Sequence, residues 1–173
     1  LYGVNDLFIG PKTHSSARYL IRCGDASETQ SSSGVIVSTG LGSTGWLRSL
    51  LTGAAAVTQS ASSVLARQAT DDLFAGPAPK RNGKASVRFN VKTEFAWDAN
   101  YLFYTVREPF PTRNTGVSLV FGRVTPDAPL ILESRMAENG VIFSDGIEKD
   151  FLEFNSGTQA TIGIAERKGV LVE

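Results

Sequence analysis

The sequence predicts a mainly β fold, with sandwich-like antiparallel strands and one long helix that follows a glycine-rich turn. Three observations predict it. Short apolar or alternating runs recur between clusters of Gly, Pro, Asn, Asp and Ser. A single stretch, Trp46 to about Arg67, has apolar residues at steps of three and four instead. Between the two patterns stand Gly40, Gly42 and Gly45 in close succession. A chain of 173 residues is long enough for one domain with a core and too short for two, so residues 1–173 are read as one domain.

Taken in order, Asp6–Ile9 reads as a strand that stops at Gly10-Pro11, and Ala17–Arg22 alternates sides before Gly24-Asp25. The polar, serine-rich segment from Ala26 to Ser33 reads as a loop. Gly34–Ser38 is a short apolar run of the kind found in buried strands. Leu47, Leu50, Leu51, Ala54, Val57, Ala61, Val64 and Leu65 then mark one helix face, with Gly53 weakening its middle. Gly76–Lys84, with its prolines, glycines and the basic residues Lys80, Arg81 and Lys84, reads as a surface loop. Further strands are predicted at Ala85–Val91, Tyr101–Arg107, Val117–Val124, Leu130–Ser134, Val141–Phe143, Asp150–Phe154, Ala160–Ala165 and Val170–Val172. Asn155-Ser156-Gly157 and Lys168-Gly169 carry hairpin chemistry, and Asp145-Gly146 reads as a plain turn.

Composition narrows the function. Hydrophobic residues make up 42% and charged residues 20%, which is ordinary globular usage and argues against disorder. Lys plus Arg equals Asp plus Glu at 17 each, so the chain lacks the basic excess that attracts nucleic acid or an anionic membrane surface. Cys23 stands alone, which excludes an internal disulfide and a cysteine-based zinc site and fits a reducing compartment. The cytoplasm is the expected location, with the mitochondrion as the alternative for a eukaryotic source. No run approaches the roughly 20 apolar residues of a membrane span. Position 1 is Leu, so the natural N-terminus and any targeting segment are expected to lie upstream.

The stretch Ser33 to Trp46 runs strand, glycine-rich turn, helix. Such a turn aims main-chain N–H groups at one point beside a helix N-terminus, and glycines let a ligand approach the backbone. Ser43 and Thr44 add hydroxyls that either cap the helix or bind ligand oxygens. Gly40, Gly42 and Gly45 also match G-x-G-x-x-G, but the dinucleotide-binding βαβ reading needs an acidic residue about 20 positions on, after a second strand. The nearest acids, Asp71 and Asp72, follow the helix instead. A capped turn with no ligand is the remaining reading.

The run Ser38-Thr39-Gly40-Leu41-Gly42-Ser43-Thr44-Gly45-Trp46 is similar to the S-T-P-T-G-S-T-A-Y signature of NAD kinases, and it is closer to their mitochondrial-type branch. Asn5-Asp6 resembles the family's Asn-acid pair. His14-Ser15-Ser16-Ala17-Arg18-Tyr19, Arg107-Glu108-Pro109-Phe110 and Ser144-Asp145-Gly146 resemble later family motifs in the expected order. The resemblance implies the C-terminal domain of a kinase that moves a phosphoryl group from ATP, with a divalent metal such as Mg, to the 2′-hydroxyl of the adenosine ribose of NAD. It implies Asn5, Asp6, Ser38, Gly42, Ser43, Thr44, Gly45 and Trp46 as dinucleotide-binding residues. Trp46 either stacks on a base or anchors the helix on the sheet, and Asp6 either holds adenosine or caps a turn.

The family's catalytic aspartate lies in an N-terminal G-G-D-G motif, which this sequence lacks. The chain is therefore expected to need that missing domain as a partner, to form homo-oligomers as the family does, and to be inactive alone. Ser33 stands where many NAD kinases carry Asp, which removes a charged acceptor. Arg107 with Glu108 is either a phosphate contact or a strand-end ion pair, and the lone His14 reads as a surface residue. Two other functions stay open: a non-catalytic module that binds a nucleotide or sugar phosphate, and a structural domain that assembles a larger kinase. A G-G-D-G within about 100–150 residues upstream would favour the enzyme.

Overall fold

The computed structural model describes residues 1–73 and 95–167. Within them the strands are β1 (Asp6–Pro11), β2 (Ala17–Cys23), β3 (Ala26–Ser32), β4 (Val35–Ser38), β5 (Leu102–Val106), β6 (Phe121–Val124), β7 (Leu130–Ser134), β8 (Gly140–Ser144), β9 (Phe151–Glu153) and β10 (Gln159–Ile162). The helix α1 spans Trp46–Leu73. The strands form a six-stranded sheet ordered β6-β5-β4-β1-β8-β9 and a four-stranded sheet ordered β10-β7-β2-β3. The mainly β, two-sheet architecture with one helix after a glycine turn is as the sequence predicts.

Alternation along the strands puts one face of each sheet into a shared core. Ile9, Val35, Val37, Tyr104, Val106 and Ile142 from the larger sheet meet Ala17, Tyr19, Ile21, Leu130 and Leu132 from the smaller. The other face of the larger sheet carries Phe8, Ile36 and Val141, against which the first turns of α1 pack through Trp46 and Leu50. Every strand pairing is antiparallel, including both partners of β4. The glycine turn is thus not part of a parallel βαβ unit, and the G-x-G-x-x-G match does not carry its usual meaning.

The structure corrects several expectations. Ala26–Ser32 is a strand rather than a loop, paired along its whole length with β2. Gln30 and Ser32 escape the apolar pattern because they fill a polar pocket: the buried Tyr19 hydroxyl meets Ser32 Oγ at 2.8 Å and Gln30 Oε1 at 3.2 Å. Val117–Val120 does not join β6, because the Glu28 carboxylate takes the amides of Ser118 and Leu119 at 2.9–3.1 Å. Asn155–Gly157 does not close a hairpin. It carries the chain from β9 in one sheet to β10 in the other.

Among the described residues the helical stripe is buried only at its start. Leu47 is fully buried, whereas Val57 is 70% and Val64 53% exposed. The predicted loop Gly76–Lys84, the strands Ala85–Val91 and Val170–Val172 and the turn Lys168-Gly169 lie outside the described residues. No helix among the described residues is long and apolar enough to cross a membrane, which says nothing of strand-built barrels.

Glu28 gives this fold an acid dependence. Burial raises its pKa, but the Leu119 amide, the Gln30 side chain and Ser118 outweigh that and hold it below the usual carboxylate value. The folded chain therefore binds fewer protons here than the unfolded one. This contribution to stability is complete above the unfolded pKa and is lost as pH falls through the folded value. Glu28→Gln should lower the unfolding free energy by about 1–2 kcal/mol at neutral pH. Urea unfolding at about pH 7 and about pH 3.5 checks this, because the gap to wild type should narrow in acid.

Candidate nucleotide site

β4 ends at Ser38, and the chain turns through Thr39, Gly40 and Leu41 into a short 3-10 turn, Gly42–Thr44, before α1. The segment leading into β1 lies against this turn. Thr39 donates its amide to the Asn5 carbonyl at 2.9 Å and its hydroxyl to the Val4 carbonyl at 2.7 Å. Ser38, fully buried, donates its hydroxyl to Asp6 Oδ1.

Two glycines are dictated by contact. A Cβ on Gly42 would stand 2.2 Å from the Asn5 carbonyl oxygen, and one on Gly40 would stand 2.1 Å from that of Ala96. Both are far inside van der Waals contact, so the turn is wedged between two stretches of main chain.

Asp145, at the end of β8, closes the arrangement. Its carboxylate accepts the amides of Val4 (2.9 Å), Asn5 (2.6 Å) and Asp6 (3.2 Å), and its own amide donates to the Asp6 carbonyl at 2.9 Å. Its backbone is left-handed, with φ 53°. Asp145 was legible in the sequence only as a turn residue, because its role depends on β8 lying beside β1.

These segments enclose a shallow depression of about 290 Å³, lined by Asn5, Asp6, Leu41, Gly42, Thr44, Gly45 and Asp145. Five of the eight sequence-derived residues therefore meet at one place: Asn5, Asp6, Gly42, Thr44 and Gly45. The other three do not line it. Ser38 is spent on Asp6, and Ser43 is buried, with its hydroxyl donated to the Gly40 carbonyl at 2.6 Å. The Trp46 ring stacks on Phe8 at 5.8 Å, with interplanar angle 13°, which is the anchoring geometry.

The expectation of an amide cradle also needs correction. The amides of Gly42, Ser43 and Gly45 donate to Thr39 Oγ1, the Gly40 carbonyl and the Gly42 carbonyl. A tight 3-10 turn folds its N–H groups back on itself. The polar wall of the depression is instead a carboxamide, a hydroxyl and two carboxylates. The Asp6 pKa is raised, first by burial and then by the Asp145 charge, against the lowering effect of the Ser38 bond. Such a wall accepts hydrogen bonds from hydroxyl and amino groups and repels phosphate.

Among the described residues no group of three or more His, Cys, Asp or Glu side chains is placed to hold a metal ion. Asp145 accepts three amides and Asp6 the Ser38 hydroxyl, and these two carboxylates alone fall short of the donor set a metal ion takes.

No family model matches the chain, and a comparison with curated proteins finds no sequence match. The fold does match. An NAD kinase from Archaeoglobus fulgidus, solved in complex with ATP, is similar over 95% of this chain, with TM-score 0.52 and 14% sequence identity. The match covers 46% of that protein, so this chain spans about half its length. At this identity the likeness is one of fold, and the chain has an NAD kinase-like fold.

Gly42→Ala should cost about 1–3 kcal/mol, because neither the Asn5 carbonyl nor the loop can retreat without breaking the Thr39 bonds. Gly53→Ala, in open helix with nothing near its Cβ, should instead gain about 0.5–1 kcal/mol. Thermal unfolding of the two variants reads opposite shifts.

Proposed function

We propose that this chain is the dinucleotide-gripping domain of a kinase that phosphorylates the 2′-hydroxyl of the adenosine ribose of NAD, with ATP as donor. The observation that carries the reading is the depression at the glycine turn, where Asn5, Asp6, Thr44 and Asp145 converge on an NAD kinase-like fold. Asn5 offers both a donor and an acceptor to an adenine edge. Asp6 and Asp145 offer acceptors to ribose hydroxyls, and Gly42 and Gly45 let the sugar approach the main chain. Ser38 and Ser43 hold the turn in shape, and Trp46 pins the helix behind it.

Phosphoryl transfer requires a group that takes the hydroxyl proton and a metal that neutralises the triphosphate. The sequence has no G-G-D-G, and Asp6 and Asp145 already accept hydrogen bonds within the fold, which leaves each an acceptor site for a ribose hydroxyl. We assign the catalytic base, the ATP phosphates and their divalent ion to a partner domain outside these 173 residues. Strand β3 is covered, because the Phe110 and Gly116 amides donate to its Ser31 and Thr29 carbonyls; among the described residues β6, β9 and β10 are the sheet edges through which that domain, or a second copy of the chain, would be held.

Titration of the chain with NAD, NADP and ATP, followed by Trp46 fluorescence, tests the reading. NAD should bind saturably and more tightly than NADP, whose 2′-phosphate would face two carboxylates. Asn5→Ala should weaken NAD by about three- to tenfold, and phosphorylation of NAD by the chain alone should not rise above a blank. NAD affinity equal to that of a simple sugar phosphate would favour the non-catalytic module. An unchanged titration in Asn5→Ala would defeat the assignment.

A further inference from the structure

A second depression, of about 240 Å³, is lined by Thr13, His14, Ser15, Ser33, Arg107 and Glu108, with Phe8 and Pro11. Arg107 follows β5, and its main chain is fixed on both sides: its amide donates to the Gly34 carbonyl at 2.8 Å, and its carbonyl accepts the Ser33 amide at 2.9 Å. Its guanidinium lies over the Trp46 ring at 5.6 Å, and the side chain is 29% exposed. Its Nε is buried and has no hydrogen-bond partner among the described residues.

Glu108 does not satisfy it. The nearest approach is Nη2 to Oε1 at 4.0 Å, with the Glu108 side chain 71% exposed. That distance is too long for a hydrogen bond. The strand-end ion pair is therefore weak, and it leaves Nε untouched. A buried guanidinium N–H without an acceptor is costly and rare in folded proteins. Ser33 brings no charge to the site. Thr13 and Ser15 share one hydrogen bond at 3.0 Å, which leaves one of the two hydroxyl protons to donate elsewhere. The exposed His14 adds an imidazole between them.

We propose that this depression is a phosphate-binding subsite, with the Arg107 fork as its centre and Thr13, His14, Ser15 and Ser33 as further donors. Guanidinium forks match phosphate oxygens in bidentate fashion. Donors drawn from three separate stretches of chain suit an anion with several acceptor oxygens better than a two-oxygen carboxylate. Two sources share this chemistry: a phosphate of a nucleotide bound to the chain, and free phosphate. The subsite does not rest on the nucleotide reading of the first depression, and the probe below contains no nucleotide.

Isothermal titration calorimetry of the 173-residue chain with inorganic phosphate, against acetate as a control, tests the subsite. Phosphate should bind saturably at one site and acetate more weakly. Arg107→Lys keeps the charge but loses the fork, and should weaken phosphate by at least about tenfold. Glu108→Gln should tighten it by removing an opposing charge. His14→Ala, on an exposed loop, should weaken it and remains decisive if Arg107→Lys does not fold.

Absence of saturable phosphate binding, equal affinity for acetate, or wild-type affinity in His14→Ala and in any folded Arg107→Lys overturns the proposal. Loss of the phosphate signal in saturating NAD assigns the subsite to a dinucleotide phosphate. Its persistence assigns it to free phosphate. Phosphate binding without NAD binding would sink the proposed function and leave this site standing.

Discussion

The candidate site depends on one carboxylate. Asp145 collects the amides of Val4, Asn5 and Asp6, three consecutive donors that would otherwise leave the entry to β1 without partners. That entry in turn receives Thr39 on the Asn5 and Val4 carbonyls and leaves Gly42 no room for a side chain. The order of dependence runs from the end of β8, through the start of β1, to the turn after β4. Residues 139 to 141 positions apart in sequence become one rigid wall. A carboxylate at the centre of such a cluster replaces the hydrogen bonds that water would supply, and it places negative charge where a sugar is expected to sit.

The sheet beneath explains why the wall stays in place. Antiparallel register puts Asp6 opposite Ser38, Ser38 opposite Phe103 and Phe103 opposite Arg123, so all four side chains share the outer face of the larger sheet. Beside them Phe95, Tyr101, Phe103 and Phe121 form a run of stacked and edge-on rings, with the Arg123 guanidinium 4.3 Å from the Tyr101 ring centroid. The segment after Phe95 presses its Ala96 carbonyl against Gly40, and Phe8 receives Trp46. Aromatic packing thus supports the turn from both ends and leaves the polar residues free to define the depression.

Much of this was legible in the sequence, for definite reasons. Strong alternation in Ala17–Arg22 and Leu130–Ser134 reports sheet faces directly, and the apolar run before Gly40 reports a strand buried on both sides. Asn5, Asp6, Gly42, Thr44 and Gly45, named from a linear motif, line one depression because that motif matches a spatial cluster.

What failed to show was non-local. Gln30 and Ser32 look like loop residues until the Tyr19 hydroxyl is placed above them. Val117–Val120 looks like strand until Glu28, from a distant segment, takes two of its amides. Asn155–Gly157 has hairpin chemistry, yet local turn preference carries no information about which sheet the next strand will join. Asp145 beside a glycine reads as a turn, and it is one, but its carboxylate matters only because β8 lies against β1. The apolar stripe of α1 reports a helix face, and among the described residues only its first turns pack against the sheet.

The acidic depression between the start of β1 and the glycine turn is proposed to grip the adenosine end of NAD. Amide chemical-shift mapping of the isotope-labelled chain during an NAD titration tests it most directly. Saturable shifts are expected to concentrate at Asn5, Asp6, Leu41, Gly42, Thr44, Gly45 and Asp145, with little change at β7 or β10. Shifts scattered over the surface, or centred away from these seven residues at saturating NAD, would contradict it.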